Sequence, residues 1–271
     1  IASGDYHTQL EAIVAKQRKD SGPLYRKAFE PVSDSKGRVY ARWDGELDDL
    51  LKSPDIVKAM ELHLKNEQRS AIAAKRPFSF EEYAVKGFDA DGNLIFDGTP
   101  NLRAMDAAKR GLDARINKHR DPTTGKINWN ADDSLSSLNE LRKALVTKLD
   151  EITTVNGVSD YANARKAWAG PAQQVDSMKM GRRFMKGDEE VSKKVFDAMT
   201  PDNQSQFLLG VRREVTDFIN ANTETAVNKF ADTKADLWIR FENLLPAEKF
   251  KAFKSSIDIE IKKAQNEKLI N

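Results

Sequence analysis

The 271-residue chain contains no cysteine. That absence excludes a disulfide framework, a thiol nucleophile and a thiolate metal centre. Histidine is nearly as scarce: His7, His63 and His119 stand far apart and leave little material for a zinc site. An excess of one charge is missing too, because 44 Lys and Arg face 42 Asp and Glu, for a net charge of +2. This balance removes the dense positive field of a dedicated DNA-binding domain and the polybasic cluster of a membrane anchor. No apolar run approaches the roughly 20 residues needed to span a bilayer. There is no phosphate-binding glycine loop, no dinucleotide fingerprint and no Gly-x-Ser-x-Gly elbow. Ile1, not methionine, opens the chain, so the expectation is a processed, recombinant or partial polypeptide from which a leader could already have been removed.

What remains is a chain with 32% charged and 39% hydrophobic residues, polar for a globule yet too apolar to be wholly disordered. Its nine prolines fall between periodic segments or at their first turns, where helical proteins tolerate them. The clearest helix is predicted over 133–153. There Leu135, Leu138, Leu141, Leu145, Leu149 and Ile152 recur at spacings of three and four, opposite a polar face that includes Lys148. Asp133 is its expected N-cap and Asn156-Gly157 its closure.

A helix over 101–119 contains Gly111, which reads as a site of close helix approach rather than a functional residue. Further helices are expected over 6–20, 47–51, 54–65, 159–168, 173–184, 191–199, 206–220, 224–245 and from Pro246 to the end. Asp91-Gly92 between short apolar stretches predicts a β-hairpin over 87–97. The fold class is therefore mostly α: a multi-helix bundle, compact or elongated, with that one small hairpin. Its regions are expected at 1–120 (helices with the hairpin) and 121–271 (long helices), either separate or continuous as one domain.

Chemical motifs are few. Asp89-Ala-Asp91-Gly92-Asn93 has the acidic spacing of a calcium loop, but Leu94 stands where that loop needs glycine and its closing glutamate is missing. Asp44, Glu46, Asp48 and Asp49 form an acidic cluster, better read as a solvated surface than as acid/base machinery. His63 and Glu67 share a helix face without the spacing of a zinc protease. Lys179, Arg182, Arg183, Lys186, Lys193 and Lys194 make the densest basic stretch, interrupted by Asp188, Glu189 and Glu190. It reads first as a solvated face, ahead of weak, nonspecific nucleic-acid contact or a protein partner, and ahead of specific DNA reading. Trp168 reads as a plug at a helix–helix corner. The residues singled out as an interaction surface are Trp43, Trp129, Phe250, Phe253 and Ile257. No catalytic residue, cofactor site or metal ligand is assigned.

Four ordered segments carry a likeness: Gly22-Pro-Leu-Tyr-Arg-Lys-Ala-Phe-Glu-Pro31, Leu47-Asp-Asp-Leu-Leu-Lys-Ser-Pro54, Asn101-Leu-Arg-Ala-Met-Asp-Ala-Ala-Lys-Arg-Gly-Leu-Asp113 and Tyr161-Ala-Asn-Ala-Arg-Lys-Ala-Trp-Ala-Gly-Pro171. Over about residues 22–210 the chain resembles helical, virion-associated proteins encoded by phages and prophages of Gram-negative bacteria. The resemblance implies a non-enzymatic structural or internal virion protein, virion-associated or in the bacterial cytoplasm. It would act through helix-mediated contacts with other virion proteins or with itself. The alternatives are a helical accessory domain of a larger phage enzyme, cleaving peptidoglycan or processing nucleic acid, or a host-directed inhibitor.

Overall fold

Apolar residues spaced by three and four dictate helices, and helices carry most of the chain. The computed structural model describes residues 6–33, 36, 39–40, 42–121, 126–184, 189–221 and 236–270. In order the elements are α1 (Tyr6–Phe29), β1 (Val32–Ser33), β2 (Val39–Tyr40), α2 (Gly45–Leu51), α3 (Pro54–Ala73), β3 (Val85–Phe88), β4 (Leu94–Phe96), α4 (Leu102–Asn117) and α5 (Ser134–Ile152). They continue with β5 (Thr154–Val155), β6 (Val158–Ser159), α6 (Asp160–Arg183), α7 (Glu189–Asp197), α8 (Pro201–Ala221), α9 (Asp236–Leu244) and α10 (Ala247–Ile270). The fold is mostly α. Among the described residues the strands form three antiparallel pairs, β1–β2, β3–β4 and β5–β6.

The chain divides into two compact units. One holds residues 18–121 and 126–168, the other residues 1–17, 122–125 and 169–271. The division places α5 and the first part of α6 with α2, α3 and α4. Leu145 and Leu149 of α5 share a core with Met105 and Leu112 of α4, which explains the placement.

In the first unit, α3 and α4 run antiparallel at very close range. A Cβ at Gly111 would fall well inside van der Waals distance of the Ala59 carbonyl oxygen, so only glycine permits the crossing. One turn away Arg115 donates to Asp55 at 2.7 Å, in register with that crossing. In the second unit α6 and α8 use the same device reciprocally. Gly181 lies on the Phe207 carbonyl and Gly210 on the Met178 carbonyl. The rest of that core is aromatic, with ring centroids 5.2 Å apart for Phe184–Phe241 and 4.6 Å for Phe241–Phe253.

Several local expectations are corrected. The breaks expected at Gly22-Pro23 and Gly170-Pro171 are absent, since α1 and α6 run straight through both prolines. Each proline removes one helical hydrogen bond, but buried residues on either side, Ser21 and Ala28 in α1, Ala164 and Ser177 in α6, hold the helix together. Asp133 does not cap α5: its backbone is already helical, and the neighbouring Asp132 carboxylate accepts from the Ser134 N–H at 2.8 Å. Asn156-Gly157 forms the two-residue tip of the β5–β6 hairpin, both residues at positive φ, as a tight primed turn requires. The expected β3–β4 hairpin is present, with Phe88 opposite Leu94. Of the helix expected over 224–245, residues 224–235 lie outside the described residues.

Gly111→Ala should destabilise the protein by about 3 kcal/mol or more, because two backbones must separate to admit the methyl group. At Gly45, in the first turn of α2, an added Cβ would have no neighbour within 4 Å. Gly45→Ala should therefore be neutral or stabilising by about 0.5–1 kcal/mol through helix propensity. Urea unfolding of the two variants beside the parent checks the contrast, and equal midpoints would refute the glycine-limited crossing.

Candidate functional site

The acidic cluster is consumed by structure. Asp44 caps α2 by accepting from the Leu47 N–H at 3.1 Å, and its other oxygen lies 2.7 Å from Lys148 Nζ. Glu46 reaches the same ammonium at 2.9 Å. Asp48 accepts from the Trp43 indole N–H at 2.8 Å, and Asp49 pairs with Lys52 at 2.7 Å. Burial alone would raise the Asp44 pKa, but the hydrogen bonds from Lys148 and Leu47 hold it below the ordinary carboxylate value. Lys148, expected on the exposed face of α5, is instead buried at the centre of this cluster. Asp89, first residue of the calcium-like loop, accepts from the backbone N–H and the side-chain amide of Asn93 and so organises the turn. Among the described residues, no group of three or more His, Asp or Glu is placed to hold a metal ion.

A different polar centre lies in the same unit. Asp106 is buried on α4 and receives the Tyr161 hydroxyl at 2.7 Å on one oxygen and Arg110 Nε at 2.7 Å on the other. The Arg110 guanidinium lies 5.2 Å from the Tyr25 ring centroid and 5.1 Å from that of Trp168. Burial opposes its charge, yet the adjacent Asp106 and the two tyrosines raise its pKa further. Burial also drives the Tyr161 and Tyr25 hydroxyls well above their ordinary pKa, with Asp106 adding to the effect. Tyr25, Asp106, Arg110 and Trp168 line an open cavity of about 340 Å³ together with Arg18, Arg26, His63 and Glu67. Desolvation and then Arg110 depress the His63 pKa, against the opposing pull of Asp106 and Glu67. Glu67 itself is paired with Arg76, and Arg103 with Glu82. Trp168 sits within a continuous helix as a wall of this cavity, so no helix corner exists there for it to plug.

The second unit holds a larger, apolar groove of about 570 Å³. Leu208, Leu209 and Val215 of α8, Phe241 of α9, and Phe253 and Ile257 of α10 line it. Arg212, Lys249 and Glu248 also border it. Of the residues singled out as an interaction surface, Phe253 and Ile257 thus meet in one groove. Phe250 packs beside them against Trp238 at 6.0 Å. Ile257 is only 3% exposed, so it forms groove floor and core at once. Trp43 and Trp129 belong to the other unit. Trp43 is half-buried against its core, and Trp129 is 44% exposed. In the basic stretch, Arg182 pairs with Glu214 and Asp217 and lies over the Tyr6 ring, while Lys193 pairs with Asp197. Lys186 and Asp188 lie outside the described residues.

No protein family, curated protein or solved structure matches this chain. The site must be read from its own chemistry. Sequence reasoning missed the Tyr161–Asp106–Arg110 centre, since its members lie up to 55 residues apart. The local signal for it was Asp106 four residues before Arg110, on the apolar face of α4.

Two outcomes test this centre. Tyr161→Phe removes the proton that satisfies Asp106 Oδ1 and should cost about 1–3 kcal/mol in chemical denaturation, against near-neutrality if the bond contributes nothing. The folded pKa of His63 lies below its ordinary 6.5, so the unfolded chain takes up this proton first as pH falls. The stability that His63 contributes is complete above 6.5 and is lost as pH falls towards the folded pKa. His63→Gln should flatten that part of the curve when unfolding is compared at about pH 7.5 and about pH 5.5, and an unchanged slope would contradict the assignment.

Proposed function

We propose that the protein is a non-enzymatic assembly component of a phage or prophage particle, working through contacts between helices. The observation that carries this reading is the apolar groove between α8, α9 and α10, whose apolar walls are side chains of those three helices, with Gln9 of α1 at its border. An amphipathic helix binds such a groove by laying anchors at i, i+3, i+4 and i+7 into it. Lys249 and Glu248 stand at its border, neither with an ion-pair partner among the described residues. The occupant is a helix of a neighbouring virion polypeptide whose apolar stripe is flanked by charges of both signs. The resemblance of residues 22–210 to virion-associated proteins supports the same setting, in the virion or in the bacterial cytoplasm before assembly. No described helix is long and apolar enough to cross a membrane, which agrees with partners met in water.

The test is fluorescence anisotropy with a synthetic helix carrying Leu at i, i+3, i+4 and i+7 and both Glu and Lys at the flanks. Thr216 and Ala252 border the groove outside the buried core. Saturable binding by the parent protein should fall about tenfold or more in Thr216→Glu/Ala252→Glu, a loss of about 1.4 kcal/mol. Equal binding of a scrambled peptide would overturn the groove as a helix acceptor. Absence of the protein from purified particles by mass spectrometry would overturn the virion role.

A further inference from the structure

The Arg110 cavity has chemistry that helix docking does not use. A guanidinium recognises carboxylate or phosphate best through two parallel N–H donors, provided its plane is fixed. Arg110 meets that condition, flanked by Tyr25 and Trp168 and held at Nε by Asp106. Asp106 is in turn held by Tyr161. With Nε engaged, the outer edge of the guanidinium, its two terminal nitrogens, has no hydrogen-bond partner among the described residues.

Arg18 and Arg26 line the same space, and neither has an ion-pair partner among the described residues. The two carboxylates in the lining are both committed, Asp106 to Arg110 and Tyr161, Glu67 to Arg76. With Arg110 balanced by Asp106 and Arg103 by Glu82, the two charges of Arg18 and Arg26 are left over around an aromatic-walled space, one more than a monoanion neutralises. They suit a group that carries about −1.5 to −2 charges at neutral pH and three acceptor oxygens. The volume of about 340 Å³ is that of a small-molecule pocket, and the aromatic rings suit a planar organic group.

We propose that this cavity binds a small aromatic phosphate monoester, the phosphoryl oxygens on the outer edge of Arg110 and on Arg18 and Arg26, the ring against the Tyr25–Trp168 wall. The site lies wholly within the first unit, so it stands or falls independently of the groove in the second.

Isothermal titration of the intact protein with phenyl phosphate tests it, with benzoate, inorganic phosphate and a short single-stranded DNA as comparison probes. Phenyl phosphate should bind saturably and at least about tenfold more tightly than benzoate or inorganic phosphate. Arg18→Gln/Arg26→Gln changes two exposed side chains and should weaken binding at least about tenfold at an unchanged melting temperature. Arg110→Gln should abolish it; should that variant fail to fold, the double variant still decides. No saturable binding by the parent at about 10 mM overturns the site. Undiminished binding by the double variant also overturns it. Equal affinity for benzoate overturns the phosphate assignment, and binding of DNA without phenyl phosphate overturns the small-molecule one.

Discussion

The approach of α3 to α4 at Gly111 sets what the first unit can become. With no side chain at the crossing, the Ala59 carbonyl sits where a methyl group would be, and the two helices lock in antiparallel register. Moving one turn along each helix in opposite directions carries Ala59 to His63 and Gly111 to Ala107. A second turn gives Glu67 and Arg103. All four of these residues line the cavity. The opposite direction gives Asp55 and Arg115, which form an ion pair. The polar cavity is therefore a consequence of register, and a slip by one turn would dissolve the ion pair and the cavity together.

Charge behaves locally in the same way. Where charge is buried, side chains within hydrogen-bond reach pair it. Lys148 is buried because Asp44, Glu46 and Glu151 surround its ammonium. Asp106 is buried because a hydroxyl and a guanidinium satisfy both oxygens. Arg18 and Arg26, at the cavity, have no ion-pair partner among the described residues. Their burial cost is small at the rim, and their charge is available to a ligand.

Much of the helical framework was legible from periodicity. The leucine stripe of α5, the Asp91-Gly92 hairpin and the role of Gly111 are local patterns, and local patterns survive folding. Lys148 was misplaced because its charge was weighed above its helical phase: three residues after Leu145 and seven after Leu141, it borders the leucine stripe, and Asp44, Glu46 and Glu151 make its burial favourable. Pro23 and Pro171 were misread for a related reason: propensity predicts a break, and tertiary packing along α1 and α6 overrides it. Gly181 and Gly210 carried the same signal as Gly111, a glycine inside a strong helix, and were not interpreted. The groove was visible only as the C-terminal apolar repeat, of which Phe253 and Ile257 proved to line one wall. The Asp106 centre was hidden because Tyr161 and Arg110 meet only in three dimensions.

The reciprocal glycines of α6 and α8 bear on how a partner would be received. Phe207 and Gly210 face α6, where the Met178 carbonyl and Gly181 fix the helix tightly. Leu208, Arg212, Val215 and Ile219 repeat at three to four residues and line the groove instead. One helix is thus pinned along one face and offered along another. A wall anchored by backbone-to-backbone contact does not have to be ordered when a ligand arrives, which lowers the entropic cost of association. The same holds for Arg110, whose plane is set by two aromatic rings and one carboxylate before any anion is present. In both units the groups left open are carried by elements that close packing has already fixed, and that preorganisation distinguishes a receptive surface from an incidental gap.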